Sequence, residues 1–199
     1  GTALFTAGAT ILFLVASAQL SALCFSLAPI ALVVILGYSY TKRFTEASHL
    51  VLGFGLAIAP VGAWLAVADR FDPFPLWTAA GVLFWVAGFD AIYACQDVEF
   101  DRKAGLRSVA VRFGVPTALR LSRLFHLFAV LCLAMAFSRP PFLGTVSLAG
   151  VAVMAAMLVY EQFLVRGGDL RRIDQAFFTV NSWIGMALLA CVLIDLYLV

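Results

Sequence analysis

Between Asp90 and Gly105 the chain reads DAIYACQDVEFDRKAG, in which Asp90, Tyr93, Asp97 and Asp101 follow one another at intervals of three and four residues. Wound as a helix at about 100° per residue, Tyr93 lies about 60° behind Asp90, Asp97 about 20° behind and Asp101 about 20° ahead, while Glu99 falls on the opposite face. Three carboxylates and a phenol then share one stripe, running from an apolar segment to its polar edge. Like charges one turn apart repel, and an acid at membrane depth costs on the order of a few kcal/mol. A cation would hold such a stripe together. Hard divalent ions take carboxylate oxygens, and Mg²⁺ in particular takes one or two carboxylates together with phosphate oxygens and water. The competing reading is a solvated loop whose acids pair with Arg102, Lys103 and Arg107. For Asp97 and Asp101 alone the two readings weigh equally. Glu99 suits the loop. Asp90 tips the balance, because intramembrane acids are functional candidates by default.

A second constellation is YSYTKRFT, Tyr38 to Thr45, in which Lys42 lies one helical turn beyond Tyr38. Alone it reads as the basic and aromatic cap that many membrane helices carry. Beside an acidic metal site it becomes the other half of a diphosphate site, with Lys42, Arg43 and the metal neutralising phosphate oxygens together.

The elements that must position these residues are set by composition. The 199 residues are 64% hydrophobic and 12% charged, with a mean hydropathy of +1.04. Soluble domains are about 45–50% apolar and about 25% charged, so the chain is read as an integral membrane protein embedded in the lipid bilayer. Backbone polar groups must be satisfied in lipid, which selects helices, and the alternation of a barrel is absent. The predicted fold is all-α: one polytopic transmembrane helical bundle over residues 1–199, with about seven spans of roughly 20 residues each. They fall near 2–21, 24–40, 49–69, 76–96, 117–137, 142–164 and 176–198, with Pro29 and Pro60 expected to kink two of them.

The basic residues are one-sided. Lys42, Arg43, Arg102, Lys103, Arg107, Arg112, Arg120, Arg123, Arg166, Arg171 and Arg172 lie on the side of the loops after spans two, four and six, against Arg70 and Arg139 opposite. The positive-inside rule places the rich side, and with it any chemistry, in the cytoplasm. A net charge of +2 is too small to suggest a nucleic-acid partner. Cys24, Cys95, Cys132 and Cys191 form no CxxC or Cys/His pattern and read as small apolar residues. The chain opens at Gly1 straight into an apolar run, without the charged leader of a signal peptide.

DAIYACQDVEFDRKAGLRSVAVRFG resembles the second aspartate-rich motif of the UbiA superfamily of intramembrane aromatic prenyltransferases, through Asp90, Tyr93, Asp97, Asp101, Gly105, Ser108, Phe113 and Gly114. YSYTKRFT resembles that family's YP-[YF]-x-KR-[YF]-T segment, with Ser39 in place of the usual Pro. HLVLGFGLAIAPVGAWLAV and FFTVNSW, with Asn181, are similar to later helices. The branch suggested is the 4-hydroxybenzoate polyprenyltransferase-like one. The resemblance implies nine helices, of which these spans are the third to the ninth, and an earlier motif, N-x-x-x-D-x-x-x-D, that no stretch of this sequence matches. It therefore implies an N-terminally incomplete chain holding half a metal site and inactive by itself.

The roles implied follow residue by residue. Asp97 and Asp101 are expected to ligate Mg²⁺. Lys42 and Arg43, with Tyr38, are expected to hold the diphosphate, and Asp90, Tyr93 and Asn181 to support the site. The substrates implied are a polyprenyl diphosphate and an aromatic acid such as 4-hydroxybenzoate, in quinone biosynthesis (ubiquinone or menaquinone) at a bacterial inner membrane. Phe84, Trp85 and Phe89 could face a carbocation or the isoprenoid tail, although membrane packing explains such residues more often. His126, Glu161, Trp77, Trp183 and Asp195 read as packing or interfacial residues. The rivals are a catalytically inactive remnant of the fold and a transporter with an acidic cation site. A retinal protein is excluded, since the last span has no Lys. A CDP-alcohol phosphotransferase is excluded by the absence of D-G-x-x-A-R.

Overall fold

A computed structural model describes residues 1–198. Helices α1 (Thr2–Leu20), α2 (Ala22–Thr41), α3 (Ser48–Ala68) and α4 (Pro73–Tyr93) are followed by two short helices, α5 (Val98–Lys103) and α6 (Val109–Phe113). Then come α7 (Val115–Phe137), α8 (Thr145–Leu164), a 3₁₀ turn (Arg166–Gly168), a π-helical turn (Gln175–Val180) and α9 (Asn181–Tyr197). No strand occurs among the described residues. Seven helical segments are long and apolar enough to cross a bilayer, close to the expected spans, and the chain is an integral multi-pass membrane protein.

Local chemistry sets the boundaries. The short SALCF connection breaks the first two spans at Ser21, which turns extended and accepts a hydrogen bond from the Cys24 N–H at 3.1 Å, the side-chain cap expected of serine. Asp69 ends α3 in the left-handed region (φ 49°), and Pro73 and Pro75 begin α4, where a missing N–H costs nothing. Pro29 and Pro60 lie inside α2 and α3, and both helices run on through them.

Each long helix packs on the next, with the most extensive contacts between α3 and α4 and between α4 and α7. Small residues allow this. A Cβ on Gly53 would collide with the backbone carbonyl of Leu83, one on Gly88 with the His126 ring, and one on Gly81 would lie 2.6 Å from Leu133 Cγ. Lipid-embedded helices associate through such close packing. The sealed core lies among α4, α7, α8 and α9, around Ala87, Ile92, Ala129, Met154 and Ile184. Asp195 of α9 accepts the N–H groups of Gly144 (2.9 Å) and Ser147 (2.6 Å) and so caps α8 from another helix. That spends this acid at the end of α8 remote from the aspartate motif.

Candidate active site at the charged end of the bundle

The stripe expected from Asp90 to Asp101 is not one helix. α4 stops at Tyr93, and α5 starts again at Val98. Between them Cys95 N–H donates to Ile92 O (3.0 Å), Gln96 N–H to Tyr93 O (3.2 Å) and Asp97 N–H to Ala94 O (3.2 Å), a tightened turn of i→i+3 bonds. The chain beyond this turn is held by tertiary bonds. Lys42 Nζ, at the end of α2, binds Asp101 Oδ2 at 2.9 Å. The Arg107 N–H donates to the Lys42 carbonyl at 2.6 Å, and Leu106 N–H to the Asp101 carbonyl at 2.8 Å. Arg107 Nη1 adds a bond to Phe44 O at 3.1 Å.

The break divides the four predicted residues. Asp90 pairs with His49, Oδ2 to Nδ1 at 2.6 Å, where α3 begins beside α4. Tyr93 stacks on Phe177 with centroids 4.2 Å apart. Asp97 and Asp101 remain one turn apart, since the Asp101 N–H donates to the Asp97 carbonyl at 2.7 Å. Asp97 is half-buried, and its side chain makes no capping bond. Asp101 is 2% exposed. Glu99 is exposed, turned away as its spacing predicts. Arg102 and Lys103 are exposed too, so the partner of Asp101 is Lys42 and not one of the basic residues of its own loop.

The remaining motif residues turn the chain. Gly105 (φ 68°) and Gly114 (φ 85°) occupy conformations that favour glycine. Ser108, fully buried, caps α6 by accepting the Val111 N–H at 3.2 Å. Arg43 is exposed and lies over the Tyr40 ring at 5.3 Å. Tyr38 lines a cleft of about 240 Å³ with Val51, Leu52 and Gly55.

Asn181 begins α9, directly after the π turn. Its Oδ1 accepts from Trp85 Nε1 at 2.6 Å, and its Nδ2 donates to Phe177 O at 2.9 Å and Ala176 O at 3.2 Å. It braces α4 against the π turn, two helical turns along α4 from Tyr93. Phe84 packs on Phe125 and Phe128. Sequence reasoning passed over His49, whose signal was a lone imidazole at the start of a span beside an intramembrane acid. Glu161, read as a packing residue, is fully enclosed, and neither of its carboxylate oxygens has a hydrogen-bond partner.

Among the described residues no group of three or more His, Cys, Asp or Glu side chains gathers to hold a metal. Asp97 and Asp101 fit part of a Mg²⁺ shell. They offer hard oxygens one turn apart, in the number this ion takes from protein when phosphate and water complete it.

A bundle of this kind, with an acid pair and a lysine brought together at one end from separate helices, is that of a polytopic membrane protein. The model of the UbiA prenyltransferase family matches residues 1–183, and the chain belongs to that family. It is 30% identical to a 4-hydroxybenzoate octaprenyltransferase of Marinobacter nauticus, over 80% of this chain and 53% of that one. With the enzyme of the same name from Vibrio cholerae it shares 33% identity, over 80% of this chain and 55% of that one. The chain thus spans about half the length of the curated relatives it matches. Among solved structures, the apo structure of a UbiA homolog from Aeropyrum pernix K1 superimposes with a TM-score of 0.82 at 28% identity, covering 95% of this chain and 70% of that one.

Proposed function

We propose that the whole protein transfers a polyprenyl group from its diphosphate to an aromatic acid of the 4-hydroxybenzoate type, with Mg²⁺, in quinone biosynthesis. The observation that carries this reading is the juxtaposition of Lys42 with Asp101, one turn from Asp97, in a chain of this family. Asp97 and Asp101 hold the metal, which when bound stabilises the charge that develops on the leaving diphosphate. Lys42 and Arg43 neutralise its outer oxygens, with Tyr38 beside them. The aromatic side chains beyond Tyr93 exclude water from the allylic carbon as its bond to oxygen breaks. The acid pair is only part of a metal shell, so residues 1–199 by themselves are expected to turn over little. By the positive-inside rule the site faces the cytoplasm of a bacterial inner membrane. Family membership leaves the transporter reading without support.

The test is transfer by the whole protein in membranes, with farnesyl diphosphate and labelled 4-hydroxybenzoate. Chelation of Mg²⁺ should stop the reaction. Asp97→Ala and Asp101→Ala should each lower turnover by about 100-fold or more, the scale of losing an electrostatic contact to a developing charge. Full activity in either variant removes the metal assignment.

A further inference from the structure

Trp85, Phe89 and Tyr93 recur every fourth residue on α4 and share one face. Phe177 closes that face. Its ring centroid lies 4.2 Å from Tyr93 and 5.2 Å from Phe89, and Phe178 meets it edge to face at 4.7 Å. The result is an aromatic wall beginning one turn before Asp97. Phe177 sits in the π turn Gln175–Val180, an element uncommon in helices and frequent at functional sites. A π turn in lipid needs an anchor, because its displaced carbonyls have no water to bind. Asn181 supplies it: Nδ2 donates to the Ala176 carbonyl at 3.2 Å and the Phe177 carbonyl at 2.9 Å, and Oδ1 accepts from the Trp85 indole at 2.6 Å. Two donors and an acceptor on one planar group is the inventory of an amide. A single side chain therefore ties the turn that presents Phe177 to the helix that presents Phe89 and Tyr93.

We infer that Asn181 is a positioning residue: through the π turn it sets Phe177 against Tyr93 and so shapes the wall that the allylic end of an isoprenoid diphosphate lies against. The inference rests on the diphosphate site proposed above. The π faces are suited to positive charge developing at the allylic carbon, and the polar head stays with Lys42 and the acid pair. Asn181 contacts neither head nor tail.

Binding to the whole protein separates the wall from the headgroup site, using farnesyl thiodiphosphate and inorganic diphosphate as probes, each with Mg²⁺. Asn181→Ala and Phe177→Ala should each weaken farnesyl thiodiphosphate about tenfold and leave inorganic diphosphate unchanged. Because the first residue acts through the second, the double variant should bind no more weakly than Phe177→Ala alone. Additive losses overturn the proposal, and so does a parallel loss of inorganic diphosphate, which marks a merely structural role. Should Asn181→Ala fail to fold, Asn181→Asp keeps the acceptor for the Trp85 indole but cannot donate both bonds to the π turn, and should give the same selective loss; unchanged binding by it is equally fatal. A wild-type protein that binds inorganic diphosphate but gains nothing from the farnesyl tail overturns the wall and spares the headgroup site. One that binds the farnesyl probe but not inorganic diphosphate overturns the headgroup site instead.

Discussion

Lys42 and Asp101 satisfy each other, and that constrains both. Asp101 is 2% exposed, and Lys42 is its ion-pair partner at 2.9 Å. A carboxylate sealed this way is costly once its counter-charge is removed. Lys42→Met is therefore expected to lower stability by about 1–3 kcal/mol, the cost of an unsatisfied buried group, seen as a lower unfolding temperature in detergent. Adding Asp101→Asn removes the stranded charge and should recover most of that loss without restoring prenyl transfer. If the double variant is no more stable than Lys42→Met, the pair is not what holds α5 to α2. His49 and Asp90 follow the same logic one layer deeper, at 2.6 Å. The sequence placed Lys42 and the acids in one site but not in a direct ion pair, and it showed nothing of His49 with Asp90, because the partners stand 59 and 41 residues apart and spacing reports only what one helix brings together.

Among the elements, α4 shows where local patterns stop informing. The spans followed from hydropathy alone, because a run of apolar residues long enough to cross lipid has few alternatives. The break after Tyr93 did not follow. Ala94, Cys95 and Gln96 include no glycine or proline to announce a stop, and the segment that follows is tied to Lys42 and Phe44, distant in sequence. The Asp97–Asp101 pair survived because it lies within one turn of α5, whereas Asp90 and Tyr93 were extrapolated across the break. Asn181 was legible as a residue of interest and not as a brace, since Trp85 is 96 residues away. The α3–α4 contact gives a test at this scale. A Cβ on Gly53 would meet the Leu83 carbonyl, which moves only if the helix moves, whereas one on Gly55 meets a Val34 methyl at 3.9 Å. Gly53→Ala should cost about 1–3 kcal/mol, as overpacking does, and Gly55→Ala should be tolerated. Equal unfolding temperatures for the two variants would mean that the helices are not held this closely.

At the scale of the whole molecule, charge and grease are partitioned. The acid pair, its lysine and most basic residues share one end, while α1 and α2 expose large apolar side chains such as Leu4, Phe5 and Val33, as lipid-facing helices do. Orientation can be read directly. With Cys24, Cys95, Cys132 and Cys191 replaced by Ala, an impermeant maleimide applied to intact cells should label Arg139→Cys and reach Lys103→Cys only after lysis; the reverse pattern inverts the topology. The strap between Lys42 and Arg107 also bears on biosynthesis. The end of α2 emerges from the ribosome some 65 residues before the segment that fastens it. Helices α1 and α2 therefore wait in the membrane unfastened, and the charged end of the bundle is completed only after α3 and α4 have been inserted.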